Sequence, residues 1–270
     1  MMEGNEKTTI RHPEAWELLV SIEDKQVNYA LFTPTVAGSL ITGKVARADE
    51  SLQALEDAVY DTPELLNDYK RVRIVIHSPH FVLLPGETSD EDCEQLLHEA
   101  FSTEDTEAIV RALPSSGVKS AFLVPCGMKA FLGRTFSLPE VYHHLQPLCE
   151  HFGALRRGEE PSRMTVLLKT GRMDLVIHRN GELQCANSYP FANPNDAAYF
   201  ALNAWSTHGL DQLTDELHVA GEPEVRETVE PLLKQHVKLV MPAEFPAAAM
   251  RLGPAAVQAP LELILLALCE

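Results

Sequence analysis

The chain has 270 residues, enough for one large domain or two of medium size, with a sizeable core in either case. With 45% hydrophobic and 23% charged residues it reads as a globular protein and not as a disordered or collagen-like one. Its 39 acidic residues outnumber 22 Lys and Arg and leave a formal charge of -17, a surface field that repels polyanions and argues against nucleic-acid binding.

Five cysteines, Cys93, Cys126, Cys149, Cys185 and Cys269, are odd in number and widely spaced, with no CxxC pair. Neither a disulfide framework nor a zinc ribbon is expected, and reduced thiols in a cytoplasmic setting are. Residues 1–15 lack the apolar core of a signal peptide, and the most apolar stretch, residues 261–269, is half a membrane span interrupted by Glu262, so no membrane insertion is expected.

Residues 16–20 are an apolar run followed by a polar turn at 21–26, after which Val27, Tyr29 and Leu31 alternate with polar or small neighbours as in a half-buried strand; this predicts a β-hairpin. Turn chemistry at 33–39 leads to a third strand with Leu40, Ile41 and Val45, and Asp49 or Ser51 caps a helix whose Leu52, Leu55, Ala58 and Val59 recur at helical spacing. Pro63 is expected to open a second helix with Leu65, Leu66 and Tyr69, and the β-branched residues of 71–76 to form a buried strand. Residues 81–84 continue extended. Over 87–113 the composition turns acidic, with Ser89, Asp90, Glu91 and Asp92 as a helix start and Leu96, Leu97, Ala100 and Phe101 as an apolar face, which predicts an acidic helical insertion. Residues 118–124 read as strand and 128–136 as a short helix, and Val141 and Tyr142 lead into a helix through Leu145, Leu148 and Phe152.

The stretch 153–161, with Gly158 and Pro161, is the expected boundary between lobes of residues 1–157 and 158–270. Beyond it come a strand at 164–168, a turn at Lys169, Thr170 and Gly171, a strand at 173–177, a hairpin turn at Asn180 and Gly181, and a third strand at 183–189. Asn193 and Pro194 start a helix that Gly209 ends, with Ala197, Phe200, Ala201, Ala204 and Trp205 on one face. A strand at 217–220, a helix at 223–236, a strand at 237–241 and a C-terminal helix complete the chain. Both halves follow one plan, β-β-β-α-β-α, which is what an α/β protein of the ribonuclease H-like, actin-like ATPase fold requires: two lobes around a central cleft.

In active proteins of that fold the first hairpin turn of each lobe wraps nucleotide phosphates, with glycine letting backbone N–H groups approach and an Asp organising Mg²⁺. The first turn here, residues 22–27, contains Asp24 but no glycine; Asp24 reads either as a metal-organising carboxylate or as a solvated hairpin tip. The second turn offers Thr170 and Gly171 but places Lys169 where an Asp is expected. Lys169 and Arg172 are able to hold an anion, or the segment is an ordinary hairpin turn. Gly221, after the strand at 217–220, either lies under a base or ribose or makes a plain strand-to-helix turn, and Glu222 beside it repels phosphate. The residues singled out for a ligand are thus Asp24, Lys169, Thr170, Gly171 and Gly221, with ATP and Mg²⁺ as the only cofactors considered and none required. No metal site is expected: His144 and His151 share a helical face only if that helix starts early, and His143, Cys149 and Glu150 do not complete a ligand set. His77 and His80 follow a buried strand without a Gly-x-Ser-x-Gly elbow, and there is no Gly-x-x-x-x-Gly-Lys-Ser/Thr string.

Residues 52–73 (LQALEDAVYDTPELLNDYKRVR), residues 135–150 (TFSLPEVYHHLQPLCE) and the run from Asp174 through Ala186, Asn187, Ser188, Tyr189, Pro190 and Phe191 to Tyr199 resemble a bacterial family, domain-of-unknown-function family 3822, over nearly the whole chain. The resemblance implies an actin-like ATPase fold without an established activity and transfers no catalytic residue. Together these readings predict a degenerate pseudo-ATPase acting as a non-catalytic binding or assembly module for an unidentified protein partner. The alternatives are an active ATPase or phosphotransferase using Asp24 or Asp174, and a two-metal nuclease, for which the first strand supplies only Glu17. The sequence carries no signal of oligomeric state.

Overall fold

A computed structural model describes residues 10–154 and 161–268. The first half opens with the expected antiparallel strands β1 (Glu17–Ile22), β2 (Gln26–Phe32) and β3 (Ile41–Ala46), then helix α1 (Leu52–Tyr60), whose N-cap Ser51 accepts from the Ala54 N–H, then β4 (Arg71–Ile76). Strand β4 runs parallel to β1, with Leu18 opposite Val72 and Val20 opposite Ile74. The segment after Pro63 makes only a single 3-10 turn (Pro63–Leu65) where a helix was expected. Its apolar residues do not recur over the several turns that would give a helix a face to bury.

The acidic segment is part of a larger insertion: β5 (Phe81–Pro85), α2 (Asp90–Ala100), β6 (Thr106–Leu113) and β7 (Val118–Pro125). The three strands form their own antiparallel sheet in the order β5-β7-β6, and α2 covers it through Cys93 and Leu97 against Ala108, Ala121 and Leu123. Residues 106–113, expected to belong to a helical stretch, become a strand because the turn after Leu113 folds them onto β7 in register, Leu113 opposite Val118. The chain returns through α3 (Met128–Thr135) to β8 (Glu140–His143), which adds to β4, and then enters α4 (Gln146–Ala154). Val141 and Tyr142 are therefore strand residues that precede the helix.

The expected lobe boundary at 157/158 lies outside the described residues. The second half holds β9 (Arg163–Lys169), β10 (Arg172–Arg179), β11 (Glu182–Pro190), α5 (Pro194–Thr207), β12 (Glu216–Gly221), α6 (Pro223–Leu233), β13 (Leu239–Pro242) and, after two short 3-10 segments, α7 (Leu261–Leu268). Asn193 and Asp196 close a capping box at the start of α5. The two five-stranded sheets have one topology, β3-β2-β1-β4-β8 and β11-β10-β9-β12-β13, so the plan inferred from the sequence is present twice.

The central strands of each sheet are buried on both faces. Alternate residues of β1 and β4 (Leu18, Val20, Ile22, Val72, Ile74, Ile76) pack under α1 and α3, and those of β9 and β10 (Met164, Val166, Leu168, Met173, Leu175, Ile177) under α5 and α6. The opposite faces are covered by exchanged helices. Helix α7 lies on β1 and β4, placing Leu263, Ile264 and Leu266 against Leu19 and Val75, while α4 lies on β10 and β11, placing Leu148, Cys149 and Phe152 against Leu167 and Val176. The two helices also pack on each other. This is why β1 shows six buried residues in a row and why β2, where alternation was expected, buries neighbouring residues such as Val27 and Asn28.

The exchanged faces carry buried charge. Glu17 and Arg73 are 8% and 2% exposed and form an ion pair of 2.6 Å, and Arg73 also donates to the Leu266 carbonyl of α7. Removing Glu17 takes this carboxylate away from a buried guanidinium. Glu17→Ala is therefore expected to cost about 3–5 kcal/mol of stability, read as a lower midpoint in urea unfolding, more than an exposed ion pair would.

Candidate functional site

A cleft of about 1230 Å³ opens beside the hairpin turns of both sheets. Its lining includes the β1–β2 turn (Glu23, Asp24, Lys25, Gln26), the β9–β10 turn (Lys169, Thr170, Gly171, Arg172), the β12–α6 junction (Gly221, Glu222, Pro223) and a wall drawn from Ala243, Phe245, Val257, Pro260 and Leu261. All five residues singled out from the sequence, Asp24, Lys169, Thr170, Gly171 and Gly221, thus reach one cavity, although they lie as far as 197 positions apart, from residue 24 to residue 221.

Lys169, at the end of β9, has little contact with solvent. Its ammonium donates to Glu23 Oε1 at 2.7 Å and to Glu262 of α7. Burial works against its charge, yet the Glu262 and Glu23 carboxylates hold it above the usual lysine value. Glu23 is fixed from its other side by Gln26, whose Nε2 donates at 3.1 Å, and its carbonyl accepts from Arg47 at 2.7 Å. Glu262, 2% exposed, was noted in the sequence only as an interruption of an apolar run; a buried acid in such a helix requires a cation, and Lys169 is that cation.

The second turn is occupied in the same manner. The Thr170 N–H and Oγ–H donate to Glu222 Oε2 at 2.9 and 2.6 Å, so one carboxylate of the chain itself takes the groups that a tight turn presents to an anion. Gly171 sits at φ 77 in the left-handed region the turn needs, and the Glu222 N–H donates to the Leu168 carbonyl at 2.8 Å. Gly221, at φ 112, has an additional constraint: a Cβ there would stand 1.9 Å from the Leu168 carbonyl oxygen. Glycine at this junction lets β12 and β9 approach closely and sets Glu222 beside Thr170. Gly221→Ala is expected to destabilise the protein by about 3 kcal/mol or more, seen as a large drop in melting temperature or loss of folded material, whereas Gly171→Asn is expected to cost far less because the space around Gly171 is open.

Arg172 and Asp174 complete the cluster beneath the turns. Asp174, 1% exposed, accepts from Ser188 Oγ at 2.6 Å and lies 3.2 Å from both Arg172 Nε and His144 Nε2. Burial opposes its charge, but His144, Arg172 and Ser188 together hold its carboxyl well below the usual range. His144 follows β8 of the first sheet, so this contact joins the two halves of the chain, as the Lys169 contacts do. Its ring packs at a tilt against that of His77, with centroids 4.6 Å apart, and His77 in turn faces Asp24 at 3.4 Å. His143 turns instead to the Ser78 carbonyl, and His151 lies apart on α4, so the three histidines of that stretch serve different surroundings. Among the described residues no group of three or more His, Cys, Asp or Glu side chains is placed to hold a metal ion. Asp24 remains half-exposed in the cleft with its carboxyl lowered chiefly by the hydrogen bond to His77.

Burial pushes His144 and His178 from the usual 6.5 down to about 4. Between those values the unfolded chain binds protons at these positions that the folded chain does not, so stability rises with pH through this window. The expected result is full stability above about pH 6.5, a fall as pH drops toward 4, and proton uptake on unfolding near pH 5, checked by calorimetry in buffers of different ionisation enthalpy.

Two sheets of equal topology with exchanged helices and a cleft at their hairpin turns define the actin-like ATPase fold. A crystal structure from Bacteroides thetaiotaomicron VPI-5482, a protein with that fold and unknown function, matches with a TM-score of 0.81 at 22% identity, covering 99% of this chain and 100% of that one. The PilM-PilN type IV pilus biogenesis complex matches with a TM-score of 0.52 at 8% identity, over 94% and 97% of the two chains. The chain belongs to the family described as protein of unknown function (DUF3822), whose model matches residues 5–240. No curated protein matches it. No helix among the described residues is long and apolar enough to cross a membrane.

Proposed function

We propose that this chain is a non-catalytic binding or assembly module, a pseudo-ATPase in which residues 1–157 and 158–270 act as two lobes with a fixed relation. The observation that carries this reading is Lys169, held between Glu23 and Glu262 at the position where the cleft would need a carboxylate for Mg²⁺. An ammonium neutralised by the chain's own acids neither binds a magnesium ion nor steers a water. Glu222 adds to this by filling the hydrogen-bond donors of the Thr170 turn and placing a negative charge where a phosphate would sit. Asp174, the other candidate acid, is consumed by its buried partners and does not line the cleft. A solved structure of similar fold is itself a complex, that of PilM with PilN, which accords with a role in protein association.

Isothermal titration of the full chain with Mg-ATP is expected to give no saturable heat up to about 1 mM, a binding free energy weaker than about -4 kcal/mol, and no phosphate release above that of Lys169→Ala. Micromolar binding with turnover that disappears in Lys169→Ala and Thr170→Ala would instead establish the active ATPase or phosphotransferase, using Asp24 as its acid.

A further inference from the structure

The cleft is larger than the roughly 300–1,000 Å³ of ordinary small-molecule sites, at about 1230 Å³. One part of its lining is apolar: Leu167, Val219, Phe245, Val257, Pro260 and Leu261. Val257 is 65% exposed, so this wall continues to the cleft rim as an uncovered hydrophobic surface.

The lining carries four cations and four acids, but three of the cations are paired with acids that lie outside it. Of its four cations, Lys169 is consumed by Glu23 and Glu262, Arg172 faces Asp174 and Arg226 pairs with Glu230 at 2.8 Å, which leaves Lys25 without an ion-pair partner among the described residues. Of the acids, Glu23 is neutralised, but Asp24, Glu222 and Glu244 are not ion-paired to any Lys or Arg among the described residues: Asp24 faces His77, Glu222 receives only neutral hydrogen bonds from Thr170, and Glu244 is exposed. Three carboxylates without an ion pair, of which Asp24 also feels the Arg172 and Arg47 charges, against one such ammonium, on a chain of charge -17, make an acidic mouth over an apolar wall.

We infer that this cleft is a peptide-docking groove, and that its occupant is an extended segment of a partner protein in which apolar side chains alternate with Lys or Arg. The apolar side chains cover Phe245, Val257 and Leu261, and the basic ones meet Asp24, Glu222 and Glu244. This deepens the proposed function and rests on it, because a cleft that turned over Mg-ATP would have to receive a polyanion.

The test is selection of random dodecapeptides displayed on phage against the full-length protein, followed by polarisation measurements with the enriched peptides as synthetic, labelled probes. Enriched peptides are expected to combine Lys or Arg with Leu, Val or Phe. Their binding is expected to weaken about tenfold in Glu244→Lys and in Val257→Asp, both at exposed positions that leave folding intact, and to weaken as salt rises from about 0.05 to about 0.3 M. No enrichment, enrichment of acidic or uncharged peptides, or binding indifferent to both substitutions would overturn the inference, and spermidine displacing the probe with equal affinity would reassign the groove to small polyamines. Phosphate release from Mg-ATP, measured on the same preparation, reports separately on the proposed function: turnover overturns that reading, whereas a failed selection without turnover overturns only the peptide groove.

Discussion

The Lys169 ammonium is the contact on which the rest of the site depends. It leaves the last residue of β9, crosses to the first hairpin turn at Glu23 and reaches the exchanged helix at Glu262, so three remote parts of the chain share one buried cation. Taking such charges out of water costs several kcal/mol for each ion, and the mutual attraction offsets that only when all the partners stay in place. An arrangement of this kind tolerates little relative movement of its members. It therefore holds the two turns together and, at the same time, ties up Lys169 and Glu23 within the chain.

The exchange of α4 and α7 explains how those charges come to be buried. Each sheet receives one layer of helices from its own half and one helix from the other, so residues that would face solvent in a simple two-layer unit are enclosed. Arg73 with Glu17, Arg163 with Glu216, and Asp174 with His144 all lie within these enclosed faces and solve the same problem, which is to satisfy a polar residue on a strand whose second face has no water. The buried histidines follow the same logic, since burial keeps His144 and His178 neutral down to about pH 4.

Much of the architecture was legible because it rests on local patterns. The Ser51 cap, the Asn193 capping box, the Asn180 and Gly181 hairpin turn and the duplicated strand-helix order are all written over a few neighbouring residues. The insertion was only half legible: the Ser89 cap of its acidic helix α2 was visible, but of the expected face only Leu97 is buried, beside Cys93, with Leu96 and Ala100 exposed, and β6 takes strand form only when paired with β7, a pairing that no feature within 106–113 announces. The short segment after Pro63 misled in the opposite direction, since a helix-start residue was present without the periodicity to sustain a helix.

For the candidate site, the residue types in the turns were visible and their partners were not. The sequence alone determined that the second turn carries Thr170 and Gly171 with a lysine in front, that Glu222 follows Gly221, and that a lone acid interrupts the apolar C-terminal helix. Only the tertiary structure decided that Lys169 pairs with Glu23 and Glu262, that Glu222 closes on Thr170, and that Asp174 is claimed by His144, because each of these contacts joins residues between 30 and 146 positions apart. Their energy exists only once burial has removed the water that would otherwise solvate every one of them.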